Sequence, residues 1–567
     1  MEDDNRGDVL NQEYPRDETP PMHILDLPMD IFINIFDSFY DNRSTGYDVD
    51  FKTIQSARLV CSLFNRVASP HLCPALTIQL DQISLDLVDE ISRSPLIAAG
   101  VRRINVRLRY HPKELADDLL RYKNRRKKDL VDLSLSCNYS AGLWAQHCNQ
   151  GGYGEDDENL PVQPLRVYEK AIETYRAMAS AWDYCFLWPD VEAMDDDTFR
   201  YWKILRRAHE QYRRKHEEQF KLIMDGSFVE TLASAISRMG HRISIHFHDK
   251  MSLSSDLYPN SYDPTLVLTN PEKFSRVMTN SFDWRTIERL EGGAELLPAK
   301  ILSELPIAIY KAGAAMSVME LDCFPATNNC FLIRPDRPSC NPAWPDLRSA
   351  CQHLTEFKLR GHLPPSRYLL PEEQAVIYEY LSTILSGQNI ENLHLDFYSL
   401  GVNNGSRAEL QGLYRVISVL TTAHWPQIKR LTVIHASLYQ GELEKFCRRL
   451  DGGRIERIAL DDLLLVGGSW AGALDILRER VASRCLDGKC EVYFDDLRGG
   501  EFEKKRIKKT KRHGFHAVSD DCLDDEEKLS VVQAQIYVSG VGSLNPLTSR
   551  VRVKQWVNPA RSNGKSQ

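Results

Sequence analysis

Two histidines spaced two residues apart are the first residues whose types suggest chemistry. His246 and His248 lie on one face of a predicted strand, opposite Ile245 and Phe247, and Asp249 follows them. Imidazole nitrogens are common zinc ligands, and two at this spacing can share an ion. A zinc site needs further ligands, however, which the local sequence does not contain. We therefore expect no metal here and interpret the pair as the half-exposed face of a strand.

A serine at a predicted sharp turn is the second candidate. Ser469 lies in the sequence Gly-Gly-Ser-Trp-Ala, after an apolar stretch and before a predicted helix. This order is similar to the nucleophile elbow of serine hydrolases, although Ala471 stands where that pattern requires glycine. His513 or His516 would have to act as the base. A serine hydrolase is therefore one alternative, and a simple turn before a helix is the other.

The remaining motifs of cofactor chemistry are incomplete. The sequence contains no Gly-x-Gly-x-x-Gly and no Cys-x-x-Cys, and Gly564-Lys565-Ser566 matches only the end of a phosphate-binding loop. The thirteen cysteines are scattered and odd in number, which predicts reduced thiols. We therefore expect a protein that is not an enzyme and has no catalytic residues, cofactors or metal.

Composition narrows the class of protein further. The chain has 567 residues, of which 43% are hydrophobic, so it can form a large core. A net charge of -8 does not favour nucleic acid as a partner. The sequence shows neither a secretory signal nor an apolar run of about 18 residues, so we expect no membrane association and a cytoplasmic or nuclear location, or both.

The elements that organise the N-terminal region begin near Met22. Residues 1–21 are acidic and end in Pro-Pro, which predicts a disordered leader. After residue 21, apolar residues recur at helical spacing in a first stretch. They do so again in a second stretch, which follows a polar loop at 41–46. The first set is Leu27, Ile31, Phe32, Ile35, Phe36 and Phe39, and the second is Phe51, Ile54, Ala57, Leu59, Val60, Leu63, Phe64 and Val67. Because these residues exceed the needs of so small a core, we expect some to face a partner.

Together the two stretches resemble the F-box. The resemblance rests on Leu27-Pro28-x-x-Ile31-x-x-x-Ile35-Phe36, followed by Ser56-Ala57-Arg58-Leu59-Val60-Cys61-x-x-Phe64. It implies a three-helix module at 22–75 that binds a Skp-type adaptor, which in turn joins a cullin scaffold. The residues that it assigns to the module and its adaptor surface are Leu27, Pro28, Ile31, Ile35, Phe36, Leu59, Val60, Cys61 and Phe64. The loop between the helices is longer than the family's, and Phe64 stands where the family often has tryptophan.

A short pattern repeats in the C-terminal part of the chain. Apolar residues at positions one, four and six recur at Leu354–Leu359, Ile390–Leu395, Ile428–Val433 and Ile455–Leu460, with an earlier copy at Val101–Val106 and a partial one at 242–247. Each copy predicts a short strand with one buried face. The intervening segments Glu373–Leu385, Glu409–Thr421 and Ala473–Ala482 predict helices, so the alternation indicates parallel strands with helices outside.

This alternation is similar to an irregular leucine-rich-repeat solenoid of the α/β class. Most copies are spaced more widely than the ~20–29 residues usual for that repeat. His362, Tyr398, Ala436 and Leu463 occupy the positions where the repeat usually has Asn or Cys. An ordinary α/β domain with a parallel sheet is the alternative.

Two segments interrupt the repeats. Residues 137–164 predict a loop, and the aromatic positions of 165–222 predict an inserted pair of amphipathic helices whose stripes belong to the core. The basic residues Arg206, Arg207, Arg213, Arg214 and Lys215 would then form a solvated face. Residues 250–350 are rich in Pro, Asn and Ser, which predicts long connections.

The predicted organisation is a disordered leader (1–21), an F-box (22–75), a repeat region that binds substrate (76–500, with 165–222 inserted) and a charged segment with a tail (501–567). The basic run Lys504–Arg512 fits either a nuclear import signal or a solvated insertion. Ile536–Val538 predicts a further strand. The expected function is substrate recognition for an SCF-type cullin ubiquitin ligase, with an unknown protein substrate. A non-degradative F-box scaffold is an alternative.

Overall fold

The computed structural model describes residues 25, 27–38, 51–149, 165–187, 195–250, 265–335, 343–360, 369–400, 417–502 and 525–548. The predicted leader, the polar loop at 41–46, the basic run, and His513 and His516 lie outside these residues. The chain divides into two compact units. The first comprises Met1–Pro74 with Leu96–Gly100, and the second comprises Ala75–Pro95 with Val101–Gln567.

The first unit contains three short helices. They are α1 (Met29–Asp37), α2 (Phe51–Arg58) and α3 (Ser62–Ala68), and a 3-10 turn at Ser69–His71 follows α3. The carbonyl of Pro28 accepts the first hydrogen bonds of α1, from the amides of Ile31 and Phe32. Asp30 lies in the first turn of α1, where a negative charge is favoured by the helix dipole.

The second unit is built around a parallel sheet. Its strands are β1 (Ala75–Gln79), β2 (Arg103–Arg107), β3 (Ile243–His248), β4 (Met316–Leu321), β5 (Glu356–Leu359), β6 (Asn392–Asp396), β7 (Arg430–Ile434), β8 (Ser437–Tyr439), β9 (Arg457–Asp461), β10 (Leu464–Gly467), β11 (Glu491–Asp495) and β12 (Arg498–Gly499). Within the described residues, nine of them form one sheet in the order β1-β2-β3-β4-β5-β6-β7-β9-β11, and every neighbouring pair is parallel.

Helices connect the strands. In chain order they are α4 (Gln82–Ser92), α5 (Pro95–Ala98), α6 (Lys113–Ala116), α7 (Leu119–Asn149), α8 (Leu165–Leu187), α9 (Asp196–Met224), α10 (Ser227–Met239), α11 (Thr265–Thr269), α12 (Pro271–Thr279), α13 (Trp284–Glu288), α14 (Ile301–Lys311), α15 (Trp344–Cys351), α16 (Pro371–Ile384), α17 (Ile417–Thr422), α18 (Gln440–Arg449), α19 (Ala471–Leu486) and α20 (Asp525–Val538). Short 3-10 turns lie at Leu297–Lys300, Thr327–Ile333 and Tyr398–Leu400.

The strands predicted from the repeated apolar pattern, and their parallel pairing, are confirmed. All three apolar positions of each complete copy are at most 2% exposed, from Val101 in the first copy to Leu460 in the last. The helices that precede successive strands also pack side by side in chain order, from α10 through α14, α15, α16, α17, α18 and α19. The larger unit is therefore an α/β structure in which strands and helices alternate, and each strand of the main sheet pairs with the main-sheet strands that come before and after it in the chain.

The last three strand ends share one backbone conformation. His435, Asp462 and Asp496 directly follow β7, β9 and β11, and each has a positive φ, between 40° and 56°. The turn leads into β8, β10 and β12, which form a second small parallel sheet. Ala436, Leu463 and Leu497 come next after the turn residues and are buried. Apolar side chains thus fill the corner that follows each of these three strands.

Two expectations about the connections were wrong. The predicted loop at 137–164 is helical as far as Asn149, because α7 extends into it, and residues 150–164 lie outside the described residues. The segment 250–350 is not simply a set of long connections, since it contains helix α14 and strand β4.

The predicted pair of inserted helices is present as α8 and α9, and its aromatic residues Tyr168, Tyr175 and Trp182 are buried as expected.

The predicted strand at Ile536–Val538 is instead the end of helix α20. This helix packs against α19 and β11. The side-chain oxygen of Gln535 accepts a hydrogen bond from the backbone amide of Phe494 at 3.1 Å. Since β11 is the last strand of the sheet, α20 protects an edge whose amides would otherwise be unpaired. Asn545 and Leu547, predicted to lie in a loose tail, are also buried.

The second small sheet imposes a strict requirement for glycine at position 499. Gly499 has φ +74°, and a Cβ added there would lie 2.0 Å from the carbonyl oxygen of Leu465. We predict that Gly499→Ala lowers the free energy of unfolding by about 1–3 kcal/mol in urea denaturation of the whole chain. Gly467→Ala is the control, because its added Cβ would meet no atom within 4 Å. Equal effects of both substitutions would contradict this prediction.

Candidate functional site

The three N-terminal helices pack around a core of six residues. These are Phe32, Phe36, Ile54, Val67, Ala68 and Leu72, all at most 8% exposed. Phe64 packs edge to face with Phe32 and Phe36, at ring-centroid distances of 5.4 and 6.0 Å. This geometry suits the ring quadrupoles and places α3 across α1. Leu27, Ala57 and Leu63 pack against the same core and are partly buried.

A second set of apolar side chains points away from that core. On α1, Ile31 is 44% and Ile35 is 37% exposed, and at the turn after α2, Leu59 is 88% and Val60 is 66% exposed. We call these four residues the docking patch. Exposed leucines and isoleucines are unremarkable one at a time, but several on so small a unit indicate a surface that another molecule covers.

Hydrogen bonds hold the turn that carries Leu59 and Val60. Their backbone amides bond to the carbonyls of Ser56 and Ala57, both at 3.1 Å. The guanidinium Nε of Arg58 donates to the Ser69 hydroxyl at 3.0 Å, and that hydroxyl donates to the Asn65 side chain at 2.9 Å. Because Ser69 is fully buried, this bond ties α2 to the end of α3. The two most exposed residues of the docking patch therefore lie on a fixed turn.

The structure separates the predicted adaptor-binding residues into two groups. Pro28, Ile31, Ile35, Leu59 and Val60 are exposed, whereas Leu27, Cys61 and Phe64 are partly buried. Phe36 is 3% exposed and belongs to the core, so its part is to support α1 rather than to touch a partner. Phe39 lies outside the described residues. All nine predicted adaptor-binding residues belong to the helical unit.

The histidine pair on β3 proves to have acidic neighbours that the local sequence did not reveal. His246 lies with Glu320 and Asp322, from β4 and its end, in a group that could supply three metal ligands. All three side chains already have other partners, however. Both ring nitrogens of His246 face oxygen atoms: Nδ1 is 3.2 Å from Asn105 Oδ1, and Nε2 is 3.2 Å from Asp322 Oδ2. A metal would have to displace one of these contacts.

Cations neutralise the two carboxylates. Glu320 forms ion pairs with Arg103 at 2.9 Å and Arg360 at 2.7 Å, and Asp322 forms one with Lys250 at 2.9 Å. Burial alone would raise the pKa of Asp322, but the contacts with His246 and Lys250 outweigh it and hold that pKa well below its usual range. The group is thus a network of paired charges across β2, β3, β4 and β5, rather than a set of free ligands.

Ser469 lies at the turn before α19, as predicted. Its hydroxyl donates a hydrogen bond to one carboxylate oxygen of Glu501, and the other oxygen accepts from the Trp470 amide at 2.8 Å. The hydroxyl also accepts from the amide of Ala471 at 3.1 Å. A carboxylate, not an imidazole, is therefore the neighbour of this serine among the described residues. The arrangement satisfies the start of a helix.

Sequence reasoning missed Glu320, Asp322 and the strand that carries them. Met316, Met319 and Leu321 follow the same apolar spacing as the recognised copies, so the signal was present. The prolines and asparagines of the flanking segments concealed it. The ion pairs themselves join residues as far apart as Arg103 and Glu320, and no local pattern could have shown them.

Comparisons with protein-family models, curated proteins and solved structures found no match. No helix in the described part of the chain is both long enough and apolar enough to cross a membrane.

The charge network predicts a pH-dependent contribution of Asp322 to stability. Because its pKa is lowered in the folded state, the contribution is complete above the unfolded pKa of about 3.9 and is lost as the pH falls through the folded pKa. We expect Asp322→Asn to destabilise the chain in urea at pH 7 and pH 5 alike. The difference from the wild type should begin to shrink near pH 4.

Asp346→Asn is the matched control, since the Asp346 side chain is 42% exposed and pairs with Lys311 alone among the described residues. An exposed ion pair contributes about 0–1 kcal/mol, so this variant should differ little from the wild type at any of the three pH values. No effect of Asp322→Asn at pH 7, or an effect that has already vanished at pH 5, would show that the network does not hold the carboxylate ionised.

Proposed function

We propose that the chain is an F-box protein that recognises substrates for an SCF-type cullin ubiquitin ligase. The helical unit would bind a Skp-type adaptor, the adaptor would join a cullin scaffold, and the larger unit would hold a protein substrate. Catalysis would come from the associated transfer machinery, and this chain would contribute proximity. Holding two reactants together makes the transfer effectively intramolecular. The proposed location is the cytoplasm, the nucleus or both.

The observation that carries the proposal is the exposure of the docking patch. The motif that resembles the F-box assigns Ile31, Ile35, Leu59 and Val60 to the module and its adaptor surface, and these side chains are 37–88% exposed. The core of the unit is complete without them, since Phe32, Phe36 and Ile54 fill it. A partner can therefore bury these apolar residues. Each Å² of apolar surface removed from water stabilises the complex by about 25 cal/mol.

We further propose that the larger unit is an irregular leucine-rich-repeat-like solenoid. Three observations support this: the strands of the main sheet follow chain order, the helices stack in the same order, and His435, Asp462 and Asp496 repeat one turn. The helix α20 at the last strand would then be a terminal cap, which solenoids need because their end repeats lack a neighbour.

Co-purification with a Skp-type adaptor tests the proposed docking. The wild-type chain should retain the adaptor, and Leu59→Ser with Val60→Ser should weaken binding at least about tenfold, since two interface anchors lose their apolar contacts. Circular dichroism should be unchanged, because both side chains are exposed. Ile83→Ser is the matched control, because Ile83 is 82% exposed on α4 of the other unit.

Two outcomes would count against the proposal. A folded wild-type chain that does not bind the adaptor would remove its basis, and a Leu59→Ser, Val60→Ser chain that binds as well as the wild type would show that the docking patch is not the contact. The presence of cullin in the purified complex distinguishes a ubiquitin ligase from a non-degradative scaffold.

A further inference from the structure

The face of the sheet opposite the buried ladder carries polar residues in rows. Strand register places Gln79, Arg107 and His248 side by side on β1, β2 and β3. Asp322 and Arg360 continue this row just beyond β4 and β5, since the amide of Asp322 bonds to Phe247 O and that of Arg360 to Leu321 O, both at 2.8 Å. The row lies at the C-terminal ends of parallel strands, where side chains from different repeats meet.

Positive charge dominates the accessible layer of this face. The carboxylates of Glu320 and Asp322 are 4% exposed, whereas the side chains of Lys250 and Arg360 are 50% and 42% exposed. Arg103 is 27% exposed. The acids therefore lie beneath the cations that neutralise them. We call Arg103, Arg107, Lys250 and Arg360 the cationic surface.

Arg103, Lys250 and Arg360 each form an ion pair, whereas Arg107 forms none among the described residues. Its Nε is buried without a hydrogen-bond partner among the described residues. The carboxylate that affects it most, Asp81, caps helix α4 by accepting from the Ser84 amide at 2.8 Å and forms no close ion pair with it. Burial lowers the pKa of Arg107. A buried guanidinium nitrogen without an acceptor is costly, and a ligand that supplies acceptors to the guanidinium would offset that cost.

His248 lies beside Arg107 in the strand register. It is 9% exposed, and its ring stacks on His246 at 5.0 Å. Burial lowers its pKa to about 4, and the charges of His246 and Arg107 add to this effect, so the ring is neutral near pH 7. A neutral imidazole can donate one hydrogen bond without adding to the local positive charge.

We propose that the cationic surface binds an acidic segment of a partner protein, with a carboxylate of that segment paired to Arg107. Guanidinium and carboxylate groups match in a two-pronged hydrogen-bonded pair. From β2 to β5 the surface spans three strand spacings, roughly 14 Å, which is about four residues of extended peptide. A segment with several carboxylates fits this span better than a single small anion does. This inference extends the proposed function. It rests on that function in one respect: only there is the acidic segment part of a substrate.

Fluorescence anisotropy of labelled peptides with the purified full chain tests this inference. The probe is an octapeptide of alternating Glu and Ser, and the comparison peptide replaces each Glu with Gln. We expect saturable binding of the Glu peptide that weakens with salt, and a loss of about tenfold for Arg107→Gln. Arg430→Gln is the matched control, because Arg430 lies on the same face of β7 and pairs only weakly with Glu456, at 3.6 Å.

Loss of folding would not explain the expected result. Arg107→Gln removes a buried Nε that has no partner among the described residues, so its thermal unfolding midpoint should be no lower than that of the wild type. Lys250→Gln, which changes a half-exposed member of the same surface, should also weaken the peptide. Equal binding by wild type and Arg107→Gln, or equal binding of the Glu and Gln peptides, would overturn the inference. So would complete displacement by millimolar phosphate, which indicates a site for a small anion only.

The peptide-binding experiment and the adaptor co-purification can fail independently of each other. The chain with Leu59→Ser and Val60→Ser should bind the Glu peptide as well as the wild type does, and Arg107→Gln should still bind the adaptor. Failure of peptide binding with intact adaptor binding contradicts only the acidic-segment inference. The reverse result contradicts only the proposed docking.

Discussion

Each strand of the main sheet buries apolar side chains that can be covered only by its neighbours and by the helices packed on one face. Ile104, Phe357 and Leu431 illustrate this ladder, and none of the three is exposed. The remaining structure depends on this constraint, because it forces successive strands into parallel register and leaves the opposite face free for polar residues. Charges distant in sequence, such as Arg103 and Glu320, meet there.

Most of the fold was predictable because its signal is local. Apolar residues at positions one, four and six of each copy identify the strands between Ile104 and Leu460, since a buried position is apolar whatever its neighbours are. The strand at Met316–Leu321 carries the same spacing but was obscured by flanking prolines. Helix α20 was misread because Ile536-Tyr537-Val538 is apolar in either conformation. Its place beside β11 depends on long-range contacts, such as the hydrogen bond between Gln535 and Phe494.

The candidate sites were predictable to different degrees. The docking patch follows from a motif in which core and surface residues alternate along the same helices, but only the structure separates buried Phe36 from exposed Leu59. Spacing alone cannot do so, because both residues are apolar. The charge network was not predictable, since Glu320 and Asp322 come together with His246 only through strand register. The buried Nε of Arg107, which has no partner among the described residues, depends equally on tertiary structure.

Hydrogen–deuterium exchange of the chain with and without a Skp-type adaptor would test the central claim most directly. Docking through Ile31, Ile35, Leu59 and Val60 should slow amide exchange in α1 and in the turn between α2 and α3, while the strands of the main sheet exchange as before. Protection confined to the sheet, or no protection anywhere while the adaptor is bound, would contradict the assignment of the helical unit as the docking module.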